Sequence, residues 1–251
     1  MNNTHYLNTT LQYYESWLGK SRCLSDGIAL QYIYTNERNI KQAGYSSCSD
    51  LYIWIQPNKS VISYGDAALP EINKLKQTII ANVDINELSS IINNVYGVNV
   101  NHNIKYVFYE LQNIVGKQPK TLTEEDYTDY ERFFLDCFPG SDISWLKEYF
   151  DYMVELGYCV GIYENSKITS CTDAPSMPYM FDKVQEIGIN TISQYQGKGY
   201  ASTVCIKAAE NILNSGKVPQ WSTTINNIAS QRLAEKVGFI KLSDVFTITM
   251  R

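Results

Sequence analysis

Apolar and polar positions alternate along this chain with both strand-like and helix-like periods. In the first half, 28–34 reads as a strand. Leu51-Tyr52-Ile53-Trp54-Ile55 and Ser60-Val61-Ile62-Ser63-Tyr64 are apolar runs split by Gln56-Pro57-Asn58-Lys59, the pattern of a hairpin. Helical spacing follows over 70–81 and 85–96, with Pro70 suited to a first turn and Glu71 where the helix dipole favours an acid. Lys105-Tyr106-Val107-Phe108-Tyr109 reads as a further strand. The polar stretch 115–122, with Gly116 and Pro119, is the expected domain boundary.

In the second half, Thr123 with Asp126 three residues on is a helix-start pattern, and helices are expected over 124–137 and 143–156. Strands follow over 158–163 and 167–171, and a longer one over 184–192. That strand runs into Gly197-Lys198-Gly199 and a helix whose apolar positions Ala201, Val204, Cys205, Ala208, Ile212 and Leu213 share one face. Asn214-Ser215-Gly216 closes it. A strand, a glycine turn and a helix start together present free N–H groups at the positive end of a dipole, a general solution for holding phosphate.

Composition narrows the class. The chain has 251 residues, 44% hydrophobic and 19% charged, as expected of a folded globular protein with room for two units, here 1–118 and 119–251. The start lacks the basic and apolar runs of a signal peptide, and no stretch has roughly 18 apolar residues, so a cytoplasmic protein without a membrane partner is expected. The six cysteines show no CxxC spacing, and His5 and His102 stand apart from any acidic or cysteine cluster. Free thiols and no metal site are the reading. The net charge of −5 argues against an extended nucleic-acid surface. It divides as +1 over 1–120, −10 over 121–188 and +4 over 189–251. An acidic middle and a basic end suit a cation in one place and an anion in another; a solvated acidic helix face accounts for the middle equally well.

The glycine turn is not a Walker loop, because Gly199-Tyr200 does not supply Gly-Lys-Ser/Thr. Nor is it a Rossmann fingerprint, since residue 202 is Ser and the strand Pro219-Gln220-Trp221-Ser222-Thr223 ends without a carboxylate. Gln196-Gly197-Lys198-Gly199-Tyr200-Ala201 instead resembles the pyrophosphate loop of the GNAT superfamily of N-acetyltransferases, Gln/Arg-x-x-Gly-x-Gly/Ala. About 30 residues on, Asn227-Ile228-Ala229-Ser230-Gln231-Arg232-Leu233-Ala234-Glu235-Lys236-Val237-Gly238-Phe239 resembles that family's Asn-initiated helix followed by Gly-Phe. The zwittermicin-resistance-type subfamily is the most similar. The resemblance is strong over 184–239, fair over 121–183 and faint before.

The resemblance implies an α/β (α+β) fold, a GNAT-like mixed central sheet flanked by helices, preceded by a smaller α/β N-terminal domain. It implies acetyl-CoA as co-substrate and no metal. Ile189, Asn190 and Thr191 would line the gap that admits pantetheine. Gln196, Gly197, Lys198, Gly199, Tyr200, Ala201 and Ser202 would hold the pyrophosphate, and Asn227 and Ser230 would stand at the next helix start, where Asn227 either only caps or also reaches pantetheine. Glu186 would be the general base toward a small amine, directly or through water, unless it only holds the acceptor or faces solvent. A backbone N–H near Asn190 or Thr191 would meet the oxyanion. The general acid is open: the family's usual Tyr is Ala234 here, and Tyr200, Tyr195, Ser222 and Thr223 are the alternatives. The acidic middle favours a cationic amine, with Trp145, Tyr149, Phe150, Tyr152, Tyr179 and Phe181 as pocket aromatics or as core. The N-terminal part would cover the acceptor side or mediate a homodimer. The rival functions are an acetyl-CoA-binding sensor or pseudoenzyme, and an interaction protein whose glycine turn is only structural.

Overall fold

In a computed structural model, residues 2–42, 44–79 and 84–250 are described. The elements in chain order are α1 (Asn3–Leu18), β1 (Leu30–Tyr34), β2 (Leu51–Gln56), β3 (Lys59–Tyr64), α2 (Ile72–Thr78), α3 (Ile85–Tyr96), β4 (Asn101–Phe108) and β5 (Lys120–Thr121). Then come α4 (Tyr127–Cys137), α5 (Leu146–Glu155), β6 (Val160–Glu164), β7 (Lys167–Asp173), β8 (Val184–Glu186) and β9 (Gly188–Thr191). Last are α6 (Tyr200–Asn214), β10 (Val218–Thr224), α7 (Ile228–Val237) and β11 (Phe239–Ile248). The hairpin, α3 and the helix after the glycine turn fall where the hydrophobic pattern put them. The end of the expected helix at Ile80 and Ala81 lies outside the described residues. Thr123 and Asp126 form a capping box, the Asp126 carboxylate accepting from the Thr123 N–H at 2.8 Å.

Strands form a seven-stranded sheet in the order β1-β3-β2-β11-β4-β10-β8 and a four-stranded sheet β5-β6-β7-β9. Together with the flanking helices this is the mixed α/β fold expected. The seven-stranded sheet draws strands from both sides of the anticipated boundary at 118/119. β4 lies between β10 and β11, antiparallel to both. β2 pairs along β11 from Ile55↔Asp244 to Leu51↔Ile248. The two stretches therefore share backbone hydrogen bonds and are not joined by a linker alone.

α1 covers one face of this sheet. Its buried side, Tyr6, Thr10, Tyr13, Tyr14, Trp17 and Leu18, is helical in spacing but built from tyrosine and threonine rather than aliphatic residues. Gln220 on β10 reaches up to the Thr10 hydroxyl at 3.0 Å. On β2, Tyr52 and Trp54 point to this side, whereas Leu51, Ile53 and Ile55 point into a second core with α2 and α3. α7 lies on the face away from α1, where the Trp221 indole donates to Ser230 at 3.2 Å. Among the described residues no helix is long and apolar enough to cross a membrane.

Candidate functional site

The stretch 184–191, expected as one strand, changes partner in its middle. Val184, Gln185 and Glu186 pair in parallel with Val218, Pro219 and Gln220, and the Ile187 N–H donates to the Gln220 carbonyl at 3.1 Å. From Gly188 onward the chain pairs with β7, Gly188 opposite Asp173 and Thr191 opposite Ser170. A Cβ on residue 188 would run into the Asp173 carboxylate, so any other residue at this crossing requires that side chain to move. The Ile192 N–H donates to the Thr169 carbonyl at 3.0 Å, so alternation turns the N–H groups of Gly188 and Asn190 toward β7. The N–H groups of Ile189 and Thr191 face the other edge, where β10 has diverged. Of the two residues expected to offer an oxyanion donor, Thr191 has its N–H on the open side. Asn190 does not.

The loop beyond begins where Gln196 Nε2 reaches back to the Thr191 carbonyl at 3.3 Å. Gly197 and Gly199 have φ of 77° and 85°, a conformation that costs other residues about 1–2 kcal/mol. The N–H groups of Gly197, Lys198, Gly199, Tyr200, Ala201 and Ser202 find no acceptor among the described residues. The Ser202 and Thr203 hydroxyls both turn to the Gly199 carbonyl, at 2.7 and 3.2 Å. Open donors at the start of the 15-residue α6 are what a pyrophosphate requires, and the site fits that group. Lys198 lies over the Tyr195 ring, 4.7 Å from its centroid. The Tyr200 hydroxyl donates to Glu164 at 2.6 Å and Lys117 to the same carboxylate at 2.9 Å. These bonds hold Glu164 below the usual carboxylate range.

Glu186, half-buried at the end of β8, accepts a hydrogen bond from the Ser222 hydroxyl. Its side chain faces a cavity of about 330 Å³ between the sheet and α1. Tyr13, Tyr14 and Trp17 of α1 with Tyr45 form the roof, and Asn103, Lys105, Ser222, Thr224 and Thr247 form a polar floor. Burial and then Glu186 push the Tyr45 hydroxyl up to about 12 and raise that of Tyr13 as well. Burial lowers the Lys105 ammonium, and Glu186 partly offsets this.

A second cavity, of about 620 Å³, lies between α4, α5, β7 and β9, with Trp145, Tyr149, Asp173 and Asn190 among its walls. Burial first and Glu186 second push Asp173 up to about 6. Of the expected pocket aromatics, only Trp145 and Tyr149 stand here. Phe150 is core, Tyr152 and Phe181 are exposed, and Tyr179 packs edge-on against Trp17 while donating to Glu37 at 2.5 Å. The acidic middle lines neither cavity as a block: Asp126 closes the capping box with Thr123 and pairs with Lys120 at 2.6 Å, and Asp129 pairs with Arg132.

Asn227 caps α7, accepting from the Ser230 N–H at 3.0 Å, and the Ser230 hydroxyl is taken by Trp221. Ala234 is fully buried. Ser222 donates to Glu186 and Tyr200 to Glu164, so neither hydroxyl proton is idle. Sequence reasoning missed Tyr13, Tyr14, Trp17, Tyr45, Tyr52 and Lys105. One signal was present: Asn101, Asn103 and Lys105 alternate as polar residues on one face of a strand that ends in the sheet's interior.

A family profile described as GNAT acetyltransferase matches residues 21–245. No curated protein sequence matches the chain. Among solved structures, an acetyltransferase of the GNAT family from Colwellia psychrerythraea is similar in fold, with 16% identity and a TM-score of 0.53, over 72% of this chain and 71% of that one. A Salmonella typhimurium structure with its cofactor acetyl-CoA matches at 16% identity and TM-score 0.43, over 53% of this chain and 94% of its own. A conserved Staphylococcus epidermidis protein of unknown function matches at 15% and 0.45, over 85% of this chain and 96% of its own. The profile spans the N-terminal strands, the crossing at Gly188 and the glycine loop alike, and the chain belongs to the GNAT acetyltransferase family, as an acyltransferase dependent on acetyl-CoA.

Proposed function

We propose that the protein moves the acetyl group of acetyl-CoA directly to the primary amine of a small acceptor within a ternary complex. The observation that carries this reading is the break between β8 and β9. It sets the outward N–H groups of Ile189 and Thr191 a few residues beyond the Glu186 carboxylate, which faces a cavity large enough for a small molecule. Bound acetyl-CoA supplies the thioester carbon. Ile189 would pair with its pantetheine amides, and the N–H groups of 197–202 with its pyrophosphate. Glu186, directly or through a water, takes a proton from the acceptor's ammonium or from the nitrogen as it attacks. The Thr191 N–H meets the oxygen that becomes negative. The C–S bond then breaks and the thiolate takes a proton; with a thiol pKa of about 8.5 it leaves with little help, which suits a site whose usual Tyr is the buried Ala234.

The same Ala234 favours a second reading, an acetyl-CoA-binding sensor with little turnover. One pair of measurements separates them. Acetyl-CoA should raise the melting temperature, and coenzyme A thiol should appear when amines are supplied. Glu186→Gln should cut kcat/KM about 10²–10⁴-fold while keeping the melting shift. A shift with no thiol release for any amine makes the protein a sensor; no shift at all rejects both readings.

A further inference from the structure

The cavity between α1 and the sheet carries two opposite charges that do not meet. Lys105 stands in the middle of β4, directly opposite Ser222 of β10, and Ser222 donates to Glu186. Lys105 nevertheless makes no ion pair or hydrogen bond with any described residue, and its ammonium lies over the Tyr14 ring at 5.7 Å. Glu186 is the one carboxylate among the cavity's lining residues. Lys105 is half-buried, and a cation on a cavity floor without a partner is an arrangement that a bound anion would complete.

A second observation is independent of the charges. Tyr52 lines the same cavity and is 3% exposed, and its hydroxyl is buried with no hydrogen-bond partner. Behind the wall made by Trp17 and Tyr52 lies Arg38, its guanidinium 5.6 and 5.3 Å from the two ring centroids. Arg38 Nε and Nη2 are also unpaired, and the whole residue is 1% exposed. Lys105 is therefore the cation in the part of the cavity that Glu186 does not occupy, with Arg38 behind its aromatic wall.

Resting on the amine-acetylation reading above, we infer that the acceptor is a small free amino acid, its amine at Glu186 and its carboxylate at Lys105. A simple cationic amine would satisfy Glu186 and leave Lys105 beside a second positive charge. A ligand bearing both signs satisfies both residues at once, and the tyrosine and tryptophan roof takes the side chain. The volume of about 330 Å³ is near the lower end of the roughly 300–1,000 Å³ usual for ligand pockets, which suits one amino acid rather than a peptide. The acidic middle of the sequence, which suggested a purely cationic acceptor, contributes only Glu186 to this cavity.

The test is thiol release from acetyl-CoA with free amino acids, then with the amide and the decarboxylated amine of the best of them. The amino acid should exceed both analogues in kcat/KM by about 10- to 100-fold, the worth of one charge-assisted hydrogen bond. Lys105→Met should collapse that ratio toward one. Melts without acetyl-CoA read the same site apart from turnover: the amino acid should stabilise the wild-type protein and not Lys105→Met. Equal use of amino acid and amine, or a preference that survives Lys105→Met, overturns the assignment while leaving amine acetylation standing. If no acceptor turns over, acetylation fails, and the amino-acid melt still decides for or against the site.

Discussion

Asp173 offers a pH experiment whose size follows from the structure. It ends β7 opposite Gly188, in the space a side chain at 188 would fill, and burial with the nearby Glu186 moves its pKa from 3.8 to about 6. The folded protein thus holds the proton more tightly than the unfolded chain. Below 3.8 both states are protonated and nothing is lost. Between 3.8 and 6 the folded state binds more protons, so stability falls as pH rises, and above 6 the full penalty remains. A shift of about two units at about 1.4 kcal/mol each gives about 3 kcal/mol. Asp173→Asn cannot ionise. Its stability relative to wild type should therefore grow by about 3 kcal/mol between about pH 3 and pH 8. At roughly 2–4 °C per kcal/mol for a chain of this size, the gap between the two melting temperatures should widen by roughly 6–12 °C. The assay is a set of paired melts across pH, in which all other titrations cancel. Parallel curves would refute the reasoning, because they would mean Asp173 titrates alike in both states. Activity should fall in the same variant, since Asp173 also sets the crossing that opens the site.

Three further expectations follow from neighbouring residues. Gly199→Asp combines a φ of 85° with an anion in the loop and should abolish the acetyl-CoA melting shift, which for wild type at 100 times Kd is worth about 2.7 kcal/mol; a retained shift would detach the loop from the cofactor. Gly188→Ala should cost about 1–3 kcal/mol in a denaturant titration through overpacking against Asp173, and pairing it with Asp173→Gly should recover part of that loss. Asn227→Ala should cost about 1 kcal/mol by uncapping α7, and a larger loss in acetyl-CoA affinity than in stability would show that Asn227 reaches the cofactor as well.

The parts of the molecule legible in the sequence are those specified by neighbouring residues. Gly197 and Gly199 announce their backbone geometry, the apolar face of α6 repeats at helical spacing, and Asn227 caps the helix it begins. What escaped depends on distant partners. The break after Glu186 looks like one continuous strand until Asp173, fifteen residues back in the chain, is seen to occupy the side-chain space of Gly188. α1 hides because its buried face is tyrosine and threonine, which read as polar surface. β11 escaped because Phe239–Ile248 interleaves Lys241, Ser243 and Asp244 among its apolar residues. The cavity between α1 and the sheet was illegible for the same reason. Its floor comes from strands more than a hundred residues apart, and Lys105 acquires meaning only when Ser222 lies beside it.

The position of β4 also bears on how the chain reaches its native state. β4 is made early, yet both its neighbours, β10 and β11, come from the last third of the sequence. On a ribosome this strand emerges with both edges unpaired and must wait for more than a hundred further residues before either is covered. Such late closure of long loops slows folding and leaves exposed strand edges open to other chains. Synthesis of the nascent chain up to about residue 215 should therefore yield a species that binds chaperones and resists release, and the final segment should convert it in one cooperative step. Acquisition of the cavity beneath α1 and of the open β9 edge would then be a single event, timed by the translation of β10 and β11.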